Sequence, residues 1–230
     1  MWGMPTYFIF GLPALLLALY AQWRVSATYQ KYMRVPNAAG MTGLQVAQYL
    51  LRSVGLAVGI EGIAGQLTDH YDPRHKVLRL SQGVAQSSSV GAVAVVAHEL
   101  GHAMQDAEAY MPLRLRAGLV PVVTFTSWLG PLIFFGGLLF QLEPLARLGV
   151  FFVAGAVVFS LLTLPVELNA SRRAMQLLEQ GGILTDEVAL EGARQMLSAA
   201  ALTYVAALAQ ALSTMLYYIS LLGGGRRRRF

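Results

Sequence analysis

The sequence predicts a mainly α-helical membrane protein with four transmembrane helices and a small α+β domain at the membrane face. Three observations carry that expectation. Hydrophobic residues make up 56% of the 230 and charged residues only 13%, with a mean hydropathy of +0.53, too apolar for an ordinary soluble chain. Uncharged runs at 5–23, 119–140, 148–166 and 199–222 are each about long enough to cross a hydrocarbon core near 30 Å. Between and beside them lie two polar stretches, 24–118 and 167–198, of the size and patterning of a small domain.

The first run reads as a retained anchor rather than a cleaved signal peptide. No basic residue precedes it and no clear small-residue cleavage site follows, while Tyr20 and Trp23 suit an interface. Thr42-Gly-Leu-Gln45 has the form of a capping box for a helix that ends at Gly55. Val58–Ile63 reads as a strand. Leu67–Tyr71 and Lys76–Leu80 flank Asp72-Pro-Arg74 and read as a hairpin. Ser87, Ser88 and Ser89 offer N-caps for an apolar helix that should stop before Pro112. The spans 119–140 and 148–166 are joined by Gln141–Arg147, a link short enough to force an antiparallel hairpin. The segment 167–198 is helical with a break at Gly181-Gly182 and a restart capped by Thr185. The last span, 199–222, is rich in the small residues that let membrane helices approach, and 223–230 is a basic tail.

Four spans put both polar stretches on one side. That side carries Arg24, Lys31, Arg34, Arg114, Arg116, Arg172, Arg173 and Arg194 near the span ends; the other carries Arg147 and the tail arginines. The positive-inside rule then expects the domain on the cytoplasmic side of the membrane. A formal charge of +5 with no basic stripe and no interleaved aromatics points to anionic lipid headgroups and away from nucleic acid. Absence of cysteine excludes disulfides and thiolate metal sites.

The chemistry lies in His98-Glu-Leu-Gly-His102. Histidines four apart leave one face of a helix a turn apart, which suits two imidazole nitrogens on one tetrahedral zinc, with Glu99 as general base. The preceding residues are almost all apolar, so three ionisable groups arriving together would be costly without a partner. A third protein ligand is required. The hairpin of spans returns Leu164-Pro-Val-Glu167 to the membrane face where the histidine helix ends. Glu167 is then the expected third ligand, with water completing the site as in catalytic zinc centres.

This motif, followed by Leu164-Pro-Val-Glu-Leu-Asn-Ala-Ser-Arg-Arg-Ala174, resembles a bacterial family of membrane-bound neutral zinc metallopeptidases. Leu67-Thr-Asp-His-Tyr-Asp-Pro73, Arg79-Leu-Ser81 and Ala199-Ala-Ala-Leu-Thr-Tyr204 extend the resemblance over nearly the whole chain. More distantly it is similar to gluzincin peptidases that process prenylated proteins or oversee membrane-protein quality. The resemblance implies a zincin-like domain, one Zn2+ per chain and peptide-bond hydrolysis. In those peptidases a Glu-x-x-x-Asp motif supplies the third ligand and a carboxylate that orients a ligand histidine. Glu167 matches the ligand, whereas Ser171 stands where the aspartate would be, offering a hydroxyl without charge. The mechanism implied also needs a donor for the tetrahedral oxyanion, for which His70, Tyr71, His75, Tyr110 and Arg172 are the candidates. An edge strand at Leu67–Tyr71 would pair with extended polypeptide.

The expected substrate is membrane-associated or unfolded polypeptide, with membrane lipid as the surrounding partner and a homo-oligomer or a membrane-protein partner left open. Two other readings compete: a non-enzymatic adaptor of membrane protein quality control that keeps the fold, and a zinc hydrolase of a lipid-linked amide or ester. An intact Glu99 speaks against the adaptor.

Overall fold

A computed structural model describes the backbone of residues 3–226 and the side chains of residues 8–223. The chain is mainly helical and falls into two compact units. One comprises residues 1–22, 115–164 and 202–230, and the other residues 23–114 and 165–201.

The first unit is built from long apolar helices. Among the described residues, four helices are long and apolar enough to cross a membrane: α1 (Gly3–Tyr32), α5 (Met111–Leu139), α6 (Glu143–Gln180) and α7 (Glu187–Arg226). Their large side chains, including Phe8, Leu16, Phe125, Trp128 and Phe151, point outward, as lipid-facing residues do. Glycine sets the packing between α5 and α6. A methyl group on Gly137 would lie 2.3 Å from the Ala146 nitrogen, and one on Gly149 would lie 2.5 Å from the Phe134 nitrogen. The ring of Phe134, fully buried, stacks on Tyr218 of α7 with centroids 4.1 Å apart. Only Phe140, Gln141 and Leu142 separate α5 from α6, a tighter reversal than the seven-residue link expected from charge alone.

The second unit carries the polar segments. Thr42 caps α2 (Gly43–Ser53) in a reciprocal capping box with Gln45. The chain leaves α2 through Gly55 at φ +68, a left-handed position that glycine adopts without steric cost. A three-stranded sheet follows, with β1 (Gly59–Ile63), β2 (His70–Asp72) and β3 (Val77–Ser81) in the order β1-β3-β2. β1 runs parallel to β3, and β2 pairs antiparallel with it in the expected hairpin, Tyr71 opposite Leu78. The edge strand is shorter than expected. Leu67 sits at φ 55, and Asp69 turns inward to accept from both the amide and hydroxyl of Ser81. Extended backbone therefore begins only at His70.

A short helix, α3 (Gln82–Gln86), leads to α4 (Val90–Ala107), capped by the Ser89 hydroxyl, which accepts from the Ala92 amide. From Val90 to Ala97 α4 is buried on nearly every side, in a core shared with Val46, Leu50, Leu78, Leu80, Leu178 and Leu184. Tyr32, at the end of α1, lies against Gly192 of α7 and donates from its hydroxyl to Gln195 at 2.6 Å.

Three boundaries differ from expectation. α6 continues unbroken through Pro165 to Gln180, so the third apolar run and the polar residues after it form one helix. α7 starts one residue later than a Thr185 cap would place it. The Asp186 carboxylate takes the Ala189 amide at 2.8 Å and is the cap, because its side chain reaches the exposed amide three residues on. α7 then runs to Arg226, past the start of the expected basic tail; Arg227–Phe230 lie outside the described residues.

Candidate metal centre

Helix α4 presents His98, Glu99 and His102 together, and α6 brings Glu167 to them. The imidazoles of His98 and His102 sit edge to face with centroids 4.8 Å apart. Glu167 is 2% exposed. Its Oε2 lies 3.3 Å from His98 Nε2 and 3.4 Å from His102 Nε2. A tetrahedral zinc with bonds of 2.0–2.1 Å holds its ligand atoms about 3.3 Å apart. Both carboxylate-to-imidazole distances match that spacing, all three ligand atoms lie within 4.8 Å of one another, and one carboxylate oxygen facing two imidazole nitrogens is a donor set zinc takes. His98, His102 and Glu167 could hold one metal ion.

Two small residues allow this approach. A methyl on Gly101 would lie 2.6 Å from the Ala170 carbonyl oxygen and 3.1 Å from the Ala170 Cα. Glycine inside the histidine motif is thus what lets the backbones of α4 and α6 come together with Glu167 one turn from the contact.

Glu99 is held by the sheet. The Tyr71 amide donates to Glu99 Oε2 at 3.0 Å, a bond open to it because β2 is the edge strand of the sheet among the described residues. Burial pushes the Glu99 carboxyl above its usual range, against the opposing pull of His98 and His102. At His102 burial works downward, but the bond to Glu167 and the nearby carboxylates leave the imidazole more basic than usual.

Each of the two histidines has a partner at its other nitrogen. Ser171 Oγ is 3.3 Å from His98 Nδ1. His102 Nδ1 meets the Gln105 side-chain oxygen at 3.0 Å. Gln105 was not foreseen; its signal was a polar side chain on the apolar face of a buried helix.

The five residues considered as oxyanion donors are dispersed. Tyr71 lies against the motif, but its hydroxyl donates to Asp106 at 2.7 Å. Burial and that carboxylate push its pKa well up. His70 is on the same strand, with Nδ1 2.8 Å from the Thr68 carbonyl. His75 is exposed in the hairpin turn and packs Nδ1 on Asp72. Tyr110 follows α4, its amide bonded to the Gln105 carbonyl. Arg172 is exposed, five positions beyond Glu167 and so about 140° round the helix from it. The strand β2, rather than any one of these side chains, is what the fold sets beside Glu99.

Paired histidines, a buried carboxylate at ligand distance and a second carboxylate beside them define a metallohydrolase-type centre on a chain with four apolar helices. The chain belongs to the family described as "putative neutral zinc metallopeptidase", whose model matches residues 7–223. It is 42% identical over 221 residues to the "putative membrane protease YugP" of Bacillus subtilis (strain 168), covering 95% of this chain and 98% of that protein. No solved structure matches the chain.

Proposed function

We propose that this protein is a membrane-embedded zinc endopeptidase of gluzincin type, with a zincin-like domain at the cytoplasmic membrane face and membrane-associated or unfolded polypeptide as substrate. The observation that carries the reading is Glu167 Oε2 at 3.3 and 3.4 Å from the two Nε2 atoms of the His98-Glu-Leu-Gly-His102 helix. His98, His102 and Glu167 are the ligands, and when bound the ion supplies a Lewis acid that polarises the scissile carbonyl and acidifies water. Glu99 takes the proton of the attacking water and delivers it to the leaving amine. A carboxyl raised by burial suits both halves of that exchange. The Tyr71 amide keeps the Glu99 carboxylate on the side of the β2 edge, where extended polypeptide can align. Siting near the headgroups is supported by Glu167, the first charged residue after the apolar run 148–166, and the cytoplasmic face by the basic residues around the polar segments.

The test uses full-length protein purified in detergent and assayed for bound zinc and for casein or peptide cleavage. One zinc per chain is expected, with cleavage lost in Glu99→Gln at unchanged metal content and metal lost in Glu167→Ala. Zinc-replete protein without cleavage, or cleavage indifferent to Glu99→Gln, overturns the peptidase reading. Full occupancy in Glu167→Ala overturns the ligand assignment.

A further inference from the structure

We propose that Gln105 is a positioning residue that fixes the tautomer and ring orientation of His102, and that Asn169, held by the Arg173–Glu108 ion pair, keeps Gln105 in place. The inference rests on the metal-site reading and adds the device that prepares one of its ligands.

Gln105 lies one turn after His102 on α4 and is fully buried. Its amide nitrogen donates to the Val166 carbonyl at 2.8 Å and to Asn169 Oδ1 at 2.9 Å. Both partners accept only, so the NH2 end of the amide must face them and the oxygen must face His102. That oxygen, 3.0 Å from Nδ1, cannot donate, and the shared hydrogen therefore sits on His102 Nδ1. In the neutral ring that metal binding requires, the lone pair is then left on Nε2, the atom turned toward Glu167.

Asn169 Oδ1 also accepts from Arg173 Nε at 2.8 Å, and the same guanidinium grips Glu108 through two bonds of 2.6 and 2.7 Å. A charged donor on Asn169 keeps its oxygen, not its nitrogen, turned to Gln105. The order from the surface inward is Glu108, Arg173, Asn169, Gln105, His102. His98 has no equivalent, because a serine hydroxyl can donate or accept and leaves either tautomer open. The two ligand histidines are thus prepared unequally, one by a rigid amide and one by a rotatable hydroxyl.

The experiment measures zinc affinity by chelator competition on full-length protein in detergent. Long-range proton–nitrogen spectra of 15N-histidine-labelled metal-free protein are recorded alongside, at a pH alkaline enough for the His102 ring to be neutral. Gln105→Met keeps the side-chain volume and removes the acceptor. It should weaken zinc about 10–100-fold, the usual effect of removing an outer partner of a metal ligand, and shift the His102 nitrogens away from the Nδ1–H pattern. Asn169→Ala should cause a smaller loss, with the tautomer signal becoming mixed. Asn169→Asp keeps the accepting oxygen for both Gln105 and Arg173 and should restore both readouts. Wild-type affinity together with an unchanged His102 signal in Gln105→Met overturns the positioning role while leaving the metal site standing. A wild-type chain that takes up no zinc overturns the metal-site reading, and this inference with it. If Asn169→Asp behaves like Asn169→Ala, the ordered relay is wrong.

Discussion

Gly101 and Ala170 set the spacing on which the centre depends: a methyl at Gly101 would sit 2.6 Å from the Ala170 carbonyl oxygen. The third residue after His98 therefore sets how closely Glu167 can approach the two histidines, although it offers no ligand atom itself. Gly101→Ala should force α4 and α6 apart, costing about 1–3 kcal/mol as overpacked sites do, and weaken zinc binding because Glu167 moves with α6. Thermal unfolding and chelator competition on the same preparation check this. Zinc bound at wild-type strength would mean that the helix spacing has slack the packing does not suggest.

Ser171 should matter less than Gln105. Its hydroxyl stands 3.3 Å from His98 Nδ1, longer than a well-made bond of about 2.9–3.0 Å, and it carries no charge. Ser171→Ala should lower zinc affinity by less than the 10–100-fold typical of outer partners, whereas Ser171→Asp should raise it by giving His98 a charged acceptor. A larger loss in Ser171→Ala than in Gln105→Met would reverse this ranking.

Tyr71 contributes its backbone rather than its hydroxyl. The hydroxyl is bound to Asp106, which also pairs with Lys76, while the amide holds Glu99. Tyr71→Phe should therefore leave kcat for peptide cleavage within tenfold of wild type. An oxyanion donor would instead cost about 10²–10³ in kcat, and a fall of that size would return Tyr71 to the reacting atoms.

Acid should loosen the hairpin through Asp72. Its carboxylate takes the His75 ring nitrogen, the amides of Arg74 and His75, and Arg79. These bonds, the one from His75 foremost, hold its pKa below the usual range despite some opposing desolvation. A carboxyl lower in the folded than in the unfolded chain gives stability that is present above the unfolded value and lost as pH falls below it, here from about pH 4 downward. Asp72→Asn should lower stability near neutrality and flatten the acid limb of a plot of melting temperature against pH. An acid limb as steep as wild type would place the titrating group elsewhere.

Much of this architecture was legible in the residues because its causes are local. The capping box at Thr42, the exit at Gly55, the hairpin around Pro73 and the four apolar helices each follow from a handful of neighbouring side chains. His98, Glu99 and His102 were legible for the same reason, since a helix fixes which face residues four apart share. Glu167 was reached differently, by the argument that two spans joined by a short link return the chain to its starting face. Where local signals competed, the sequence misled. Thr185 and Asp186 both cap helices well, and only the fold shows Asp186 reaching the Ala189 amide. Leu67 has the pattern of a strand residue, yet the inward turn of Asp69 onto Ser81 removes it from the sheet.

By itself, then, the sequence determined the class of elements and the joint placement of His98, Glu99 and His102, because helical periodicity converts spacing directly into a shared face. The tertiary structure alone decided which oxygen faces both imidazoles, why Gly101 must be small, that the Tyr71 amide holds Glu99, and that Gln105 rather than any carboxylate braces His102. The first three join residues 28 to 69 positions apart in the chain, and the Gln105 amide, three residues from His102, is oriented by Val166 and Asn169, 61 and 64 positions away; no local spacing rule reaches that far. They exist only once helices and strand have packed, when each buried polar atom must find the partner that packing has left within reach.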